Sequence, residues 1–361
     1  MSLDVLTTRD SLEWRALTQQ ASGYDFHHLL SFHRLAEERG DGEALMFVYR
    51  EKDEWIALPL LVRDLTGVPG LTEAPSSLRD ATSVYGYPGP MASRSDPSPR
   101  TIRGFQSSIQ NALESRGVIA VFSRLHPLLQ QRALIEGLGE VSSTGQTVSI
   151  DLSLPREERV KRYRRDHRRT LNSAASRELA CIHDVCRTYL GEFIDAYYET
   201  MRRVGARQDY FFSRQYLVGV TELDGAKGHI FVGLSNGEFA CGGLYIECGD
   251  YISTFLSCRR EGYQDRVSTC VLVNSVADWA SEAGVSVFHL GGGLHGTNDG
   301  VFAFKSGFSD RRHDFYTWRW VLQSDVYDEL TKKAERWHSD NRYDRANEFF
   351  PAYRAPSVVS Q

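Results

Sequence analysis

The segment running from His289 to Phe308, HLGGGLHGTNDGVFAFKSGF, places a backbone stripped of side chains shortly ahead of a single cation set between aromatic rings. Gly291, Gly292 and Gly293 let the main chain approach a ligand closely, and Phe304-Lys305-Ser306-Gly307-Phe308 offers an ammonium on an apolar support. This pattern makes Lys305 and Phe304 the candidate catalytic residues, with Gly292 and Gly293 lining the ligand. His295 and Asp299 lie in the loop between, where either can relay a proton and Asp299 can equally cap the next turn. The glycines are not followed by Gly-Lys-Ser/Thr at the spacing of a nucleotide-binding P-loop.

Two further segments could bind rather than react. Residues 156–178 carry Arg156, Arg159, Lys161, Arg162, Arg164, Arg165, Arg168 and Arg169, and read as one strongly charged helix. Guanidinium groups contact phosphates bidentately, so Arg165, Arg168 and Arg169 are candidate phosphate-binding residues; a solvated charged face is the plainer reading. In Tyr85-Gly86-Tyr87-Pro88-Gly89-Pro90, Tyr85 and Tyr87 can line a substrate pocket or simply pack a Pro/Gly turn. His27, His28 and His33 recur at helix-like spacing, but no matching Cys or carboxylate cluster is visible in the sequence, and no metal site is expected.

These segments need elements to position them. Residues 43–63 and 229–247 each read as two apolar strands around a polar turn, the second through Asn236-Gly237, and 250–257 adds a strand. A helix near 98–116 with a strand at 118–122, and a helix at 267–283 with a strand at 285–290, then repeat the same order. Each helix ends at a glycine suited to a C-cap, Gly117 and Gly284. The chain thus reads as an internally duplicated α/β (α+β) protein. The division expected is 1–150 and 151–361, with QTVSIDLSLP as the last strand of the first half and a polar, helix-prone tail, loose at its end, after Tyr327.

Composition narrows the function classes. A 41% hydrophobic, 25% charged chain can bury a sizeable core. A formal charge of −5 argues against general polyanion coating, and no helix-turn-helix, zinc or RNP signature suggests DNA binding. No stretch approaches the roughly 18 uncharged apolar residues of a transmembrane helix. The N-terminus lacks a secretory pattern, so a cytoplasmic protein is expected, with its six cysteines reduced and in the core.

With these motifs in place, the chain resembles the Fem family of aminoacyltransferases, Fem-like proteins with tandem GNAT-type domains. The resemblance rests on Tyr-Gly-Tyr-Pro-Gly-Pro, on the Arg-rich helix with Arg165-x-x-Arg168-Arg169 and Ala174, and on Leu290 to Phe308. It implies two GNAT-like domains, each a mixed, mostly antiparallel sheet flanked by helices. It also implies transfer of an amino acid from aminoacyl-tRNA, as co-substrate and with no other cofactor, to an amine-bearing peptide or nucleotide-linked acceptor. Cell-wall precursors and peptide-antibiotic intermediates are the acceptor classes. The stretch between Arg169 and His229 is too short for the helical coiled-coil arm of some members. Where members often have an Asp just after the Gly-Pro segment, Met91-Ala92-Ser93 stands here, which leaves the general base open.

An aminoacyl ester is already activated, so the protein must align two substrates and stabilise an oxyanion, the role expected of Lys305. The alternative is an acyl-CoA-dependent N-acyltransferase. Its pyrophosphate loop would fall on Arg259-Arg260-Glu261-Gly262-Tyr263-Gln264, which fits only the first half of the expected pattern. A non-catalytic scaffold binding RNA or a nucleotide-linked ligand ranks last.

Overall fold

The computed structural model describes residues 2–174, 179–263, 267–345 and 349–358. The chain divides into two compact units, residues 1–143 with 315–361, and residues 144–314.

In the first unit, strands Glu43–Glu51 and Glu54–Asp64 pair antiparallel with Glu51 opposite Glu54, so Lys52-Asp53 is the whole turn. Lys52 takes the positive φ of 57° that a two-residue hairpin requires. Ser2–Thr7 extends one side of the hairpin, and Arg79–Thr82 extends the other. Helix Pro99–Glu114 opens on Ser98, whose hydroxyl accepts the Thr101 amide, with Pro99 at the first helical position. The turn after it closes through Gly117 at φ 71°. Strand Val118–Arg124 then runs parallel to Arg79–Thr82. The helix buries Phe105, Ile109, Ala112 and Leu113, one face at helical spacing, against Phe47, Leu58 and Val121 of the sheet. Each such large side chain contributes roughly 1.5–3 kcal/mol by leaving water.

The second unit repeats this path. Lys227–Ser235 and Glu238–Cys248 form a hairpin whose turn residues Asn236 and Gly237 sit at φ 52° and 81°. Tyr251–Arg259 completes the meander, helix Val267–Glu282 follows, and Val287–Gly292 runs parallel to Tyr251–Arg259. Leu179–His183 lies at the outer edge beside Lys227–Ser235. The helix buries Cys270, Leu272, Val273, Val276, Ala277 and Ala280 on Phe231, Tyr245, Ile252 and Phe288. Each unit is therefore a mixed, mostly antiparallel sheet with helices, as expected.

The boundaries differ from the expected 1–150 and 151–361. The antiparallel neighbour of Val118–Arg124 in the first unit is Thr317–Val321, from far along the chain. Residues Thr147–Asp151, expected as the last strand of the first half, pair instead with Val287–Gly292 in the second. Alternating apolar residues mark a strand but do not name the edge it will hydrogen-bond to, so sequence order misassigned both. The C-terminal tail is also docked. Helix Ser324–Asp340 places Leu330 and Ala334 with Leu65, Leu71, Ile119 and the buried Tyr353, and Arg354 pairs with the fully buried Asp80.

The basic run is two helices, Arg156–Lys161 and Arg165–Ala174, rather than one through 178. The break lets Tyr163 bury in the core of the unit. Four cysteines are buried as expected, and Cys181 is partly so, but Cys186 is exposed in the loop before helix Leu190–Arg203. Among the described residues no helix is long and apolar enough to cross a membrane.

Candidate functional site

In both units the parallel strand pair ends on the segments singled out from sequence. The carboxyl ends of adjacent parallel strands are where α/β proteins leave a crevice for ligands.

In the second unit, the pairing of Val287–Gly292 with its neighbour slips between His289 and Gly291, and Gly291 takes φ 75°. A side chain at Gly293 is impossible without rearrangement, since its Cβ would lie 2.1 Å from the Thr297 carbonyl oxygen and 2.6 Å from Asp299 Oδ1. Asp299 is the N-cap of helix Gly300–Lys305. Its Oδ1 accepts the amides of Val301 and Phe302 at 2.9 and 2.8 Å, and its Oδ2 accepts that of Leu294 at 3.0 Å. Of the two roles open to Asp299, the structure fills the cap. His295 lies in the short turn Leu294–Gly296, and its side chain is outside the described residues.

The capped helix turns Lys305 back toward the glycines, where Nζ donates to the Gly292 carbonyl at 2.7 Å. Burial pushes the Lys305 pKa down to about 8, and the Asp299 carboxylate works in the opposite direction. At neutral pH the group is still an ammonium. One of its three N–H donors is engaged with Gly292, so it can serve an anionic oxygen beside the strand end. The Phe304 ring packs on His167, with centroids 5.2 Å apart, and edge-on against Phe308 at 5.3 Å. Phe302 faces the guanidinium of Arg312 at 5.8 Å.

The arginine segment does two jobs. Arg165, Arg168 and Arg169 are exposed, as a phosphate-binding face requires. Arg164 and His167, which sequence reasoning passed over, hold the Lys305 helix. The Arg164 amide donates to the Gly307 carbonyl at 2.7 Å and its guanidinium to that of Ala303 at 3.2 Å. His167 Nε2 donates to the Phe304 carbonyl at 2.9 Å, and its ring occupies the space that a Cβ on Gly307 would fill. Arg156 and Arg159 are structural, both paired with Asp278, with Arg159 buried. Ala174 lies at the end of the second basic helix, and its side chain is not among the described ones.

In the first unit, Tyr85–Pro90 packs on a buried polar cluster built from residues far apart in sequence. Gln131 Nε2 donates to the Pro88 carbonyl at 2.6 Å, and its Oε1 accepts the His126 amide at 2.6 Å. His126 Nε2 lies 3.1 Å and His27 Nδ1 3.2 Å from the same oxygen, Oδ2 of the fully buried Asp25. Tyr87 stands edge-on to His27, His126 and Phe315, at 6.0, 6.5 and 5.5 Å between centroids. The carboxylate and second histidine that His27 lacked in the sequence are thus supplied by Asp25 and by a residue 99 positions along. The three groups lie within 4.8 Å of one another, close enough to surround a cation. The Leu128 amide, however, donates to His126 Nδ1 at 3.2 Å, which puts the ring proton on Nε2 and turns it toward Asp25. A ring nitrogen carrying that proton has no lone pair for a metal, so His126 meets Asp25 as a hydrogen-bond donor, with His27 beside the same oxygen.

The place of a pyrophosphate loop is acidic. Arg260 reaches Glu192 and Glu199 at 3.7 and 3.8 Å, the Glu261 amide donates to Glu199 at 3.2 Å, and the Tyr263 hydroxyl donates to Glu238 at 2.9 Å. Gln264, the expected discriminator, lies outside the described residues.

No protein-family model matches the chain, and no curated protein matches it in sequence. Its fold is nevertheless shared by solved structures. FemX is similar with a TM-score of 0.66 at 12% identity, covering 91% of this chain and 99% of that one. L-PGS from Bacillus licheniformis has a TM-score of 0.54 at 14% identity, covering 87% and 92%. The C-terminal domain of a putative lysylphosphatidylglycerol synthetase from Agrobacterium fabrum has the same TM-score and identity, covering 90% and 97%. The chain has the fold of FemX, as expected from its motifs.

Proposed function

We propose that this protein is an aminoacyltransferase that moves an amino acid from aminoacyl-tRNA to an amino group of a peptidoglycan precursor or a peptide-antibiotic intermediate, forming an amide bond in the cytoplasm. The observation that carries the reading is Lys305, an ammonium seated against the Gly292 carbonyl at the end of the glycine strand, with its pKa lowered to about 8. The acceptor amine attacks the ester carbonyl carbon, the new C–N bond forms, and negative charge gathers on the carbonyl oxygen. The C–O bond to the terminal ribose then breaks, the ribose oxygen takes up a proton, and the amine nitrogen gives one up. Lys305 stabilises the intermediate charge, and the remaining work is alignment.

Two further features support this donor. The exposed Arg165, Arg168 and Arg169 suit the phosphates of an RNA stem, which guanidinium groups grip through paired N–H donors. The carboxylates of Glu192, Glu199 and Glu238 around Arg260 and Tyr263 repel a pyrophosphate, which disfavours coenzyme A. The likeness to FemX and to the C-terminal domain of a putative lysylphosphatidylglycerol synthetase agrees with aminoacyl chemistry.

The test supplies purified protein with radiolabelled aminoacyl-tRNA pools or acetyl-CoA, each with mixed amine acceptors, and follows label into a new amide. Label from tRNA, abolished by ribonuclease, is expected. Label from acetyl-CoA alone would overturn the reading in favour of an N-acyltransferase.

A further inference from the structure

Two large apolar side chains stand in water beside Lys305. Leu294 is 49% exposed and Val301 39%, two of the six large hydrophobic residues left so open among the described residues. Such residues need no explanation when scattered singly, but these two are tied to one carboxylate. The Leu294 amide donates to Asp299 Oδ2 at 3.0 Å, and the Val301 amide donates to Asp299 Oδ1 at 2.9 Å. The Leu294 carbonyl is fixed as well, accepting the Thr297 amide at 3.0 Å and the Thr297 hydroxyl at 2.8 Å. The turn is ordered by its own hydrogen bonds, and what it presents outward is a leucine and a valine.

This apolar ledge lies about one helical turn from the ammonium. Val301 and Lys305 are four positions apart on helix Gly300–Lys305, and residues so spaced are surface neighbours with Cβ atoms about 5–6 Å apart. On the strand side, Gly291 and Gly292 border Lys305 Nζ and lead through Gly293 into Leu294. A Cβ built on Gly293 would lie 3.1 Å from that of Phe302, so the strand end and the helix run close together. When an ester carbonyl oxygen sits on Nζ, the amino-acid side chain begins about 5–6 Å from the ammonium, two covalent bonds beyond the carbonyl carbon. That is the distance scale of the ledge. Asp299, the carboxylate of this loop, has both oxygens bonded to amides, so it offers a cationic side chain little to pair with. Apolar surface gains most by covering apolar surface.

We propose that Leu294 and Val301 select the amino acid that is transferred, receiving an apolar side chain of leucine size or larger while Lys305 holds the ester carbonyl oxygen. The inference rests on the aminoacyltransferase reading and names the donor class within it. A glycyl donor leaves the ledge wet. A lysyl donor brings a second ammonium toward that of Lys305, and like charges repel most where water is thin. A leucyl or phenylalanyl donor covers both side chains. One methylene in a closed apolar pocket discriminates by about 10- to 200-fold, and an open ledge belongs at the low end, about tenfold.

The test begins with the wild-type full chain carrying 13C-labelled leucine and valine methyl groups. The probes are aminoacyl-adenosine mimics whose ester is replaced by a stable amide, bearing leucine, glycine or lysine. The leucyl mimic should shift the Leu294 and Val301 methyl resonances at about tenfold lower concentration than the other two. Methyl resonances that stay still, or three mimics that titrate alike, overturn the proposal without any variant needing to fold. For kinetics, one tRNA charged in turn with leucine, glycine or lysine removes differences between tRNA bodies. The kcat/KM for the leucyl donor should exceed that for the glycyl donor about tenfold, and the ratio should collapse when Leu294→Ala and Val301→Ala are combined. Alanine keeps both amides on Asp299, so the turn survives the substitution. A ratio unchanged in that variant assigns the selection elsewhere. The two readings fail separately. Equal transfer from all three donors sinks the ledge and leaves the aminoacyltransferase; transfer from none sinks the aminoacyltransferase, while the methyl shifts still decide whether the ledge takes an apolar side chain.

Discussion

The two units follow one path and set different titratable groups at different ends of it. In the first, the loop after the third meander strand, Tyr85–Pro90, covers an anionic cluster of Asp25, His27 and His126. In the second, the corresponding loop around Arg260–Tyr263 is tied up by glutamates, and the loop after the last parallel strand carries the cation, Lys305. One unit buries a carboxylate between two histidines, the other holds an ammonium. Both rely on the same device, a glycine whose missing side chain leaves room for a titratable group: Gly86 against His27, and Gly291, whose Cβ would sit 3.3 Å from Lys305 Nζ. One path, repeated, thus sets a different charge beside a different loop in each unit.

The sharpest way to test this division is to remove the cation. Lys305→Ala should cut turnover by about 10²-fold or more, the scale of losing one oxyanion donor, in a protein that circular dichroism shows to be folded. Wild-type turnover would remove the second unit from the chemistry. Because Lys305 titrates at about 8, wild-type transfer should also fall as pH rises through that value and the ammonium becomes a neutral amine. A smaller loss, about tenfold in turnover, is expected for His167→Ala, which removes the histidine's hydrogen bond to the Phe304 carbonyl, keeps that from the Gly307 amide at 3.0 Å, and leaves Lys305 in place on a looser helix. Chemical denaturation should show it less stable by about 0.5–1.5 kcal/mol, the net contribution of one hydrogen bond.

Asp299→Asn separates the cap from the charge. The amide oxygen can still cap, so stability should change by only a few tenths to 1 kcal/mol. Loss of the carboxylate removes the group that raises the Lys305 pKa, so the high-pH limb of activity should move to lower pH. An unmoved limb would assign that limb to another group. The smallest expected effect is in the arginines. Arg165→Ala with Arg168→Ala should weaken donor binding a few-fold and reduce the magnitude of its salt slope by about 1–2, as for two lost phosphate contacts. An unchanged slope would return that face to plain solvation.

Much of this was legible in the residue order because it is local. Hairpin turns such as Asn236-Gly237, the stops at Gly117 and Gly284, and the alternation of apolar strands depend on φ preferences and on neighbours a few positions away. The Gly291–Gly293 to Lys305 segment is likewise contiguous, so its glycines, cap and cation could be read together. His167 escaped notice because a histidine inside an arginine run gives no sign of the carbonyl it will meet 137 residues later.

The sequence by itself determined the duplicated order of strands and helices and the segment that carries Lys305. Tertiary structure alone decided that Thr317–Val321 completes the first sheet and Thr147–Asp151 borders the second, because backbone hydrogen bonding between edges carries no side-chain signature. It also decided that Asp25, His27 and His126 share one carboxylate oxygen. That cluster depends on excluding water from residues drawn together across a hundred positions, and burial, which sets its charges, belongs to the folded chain.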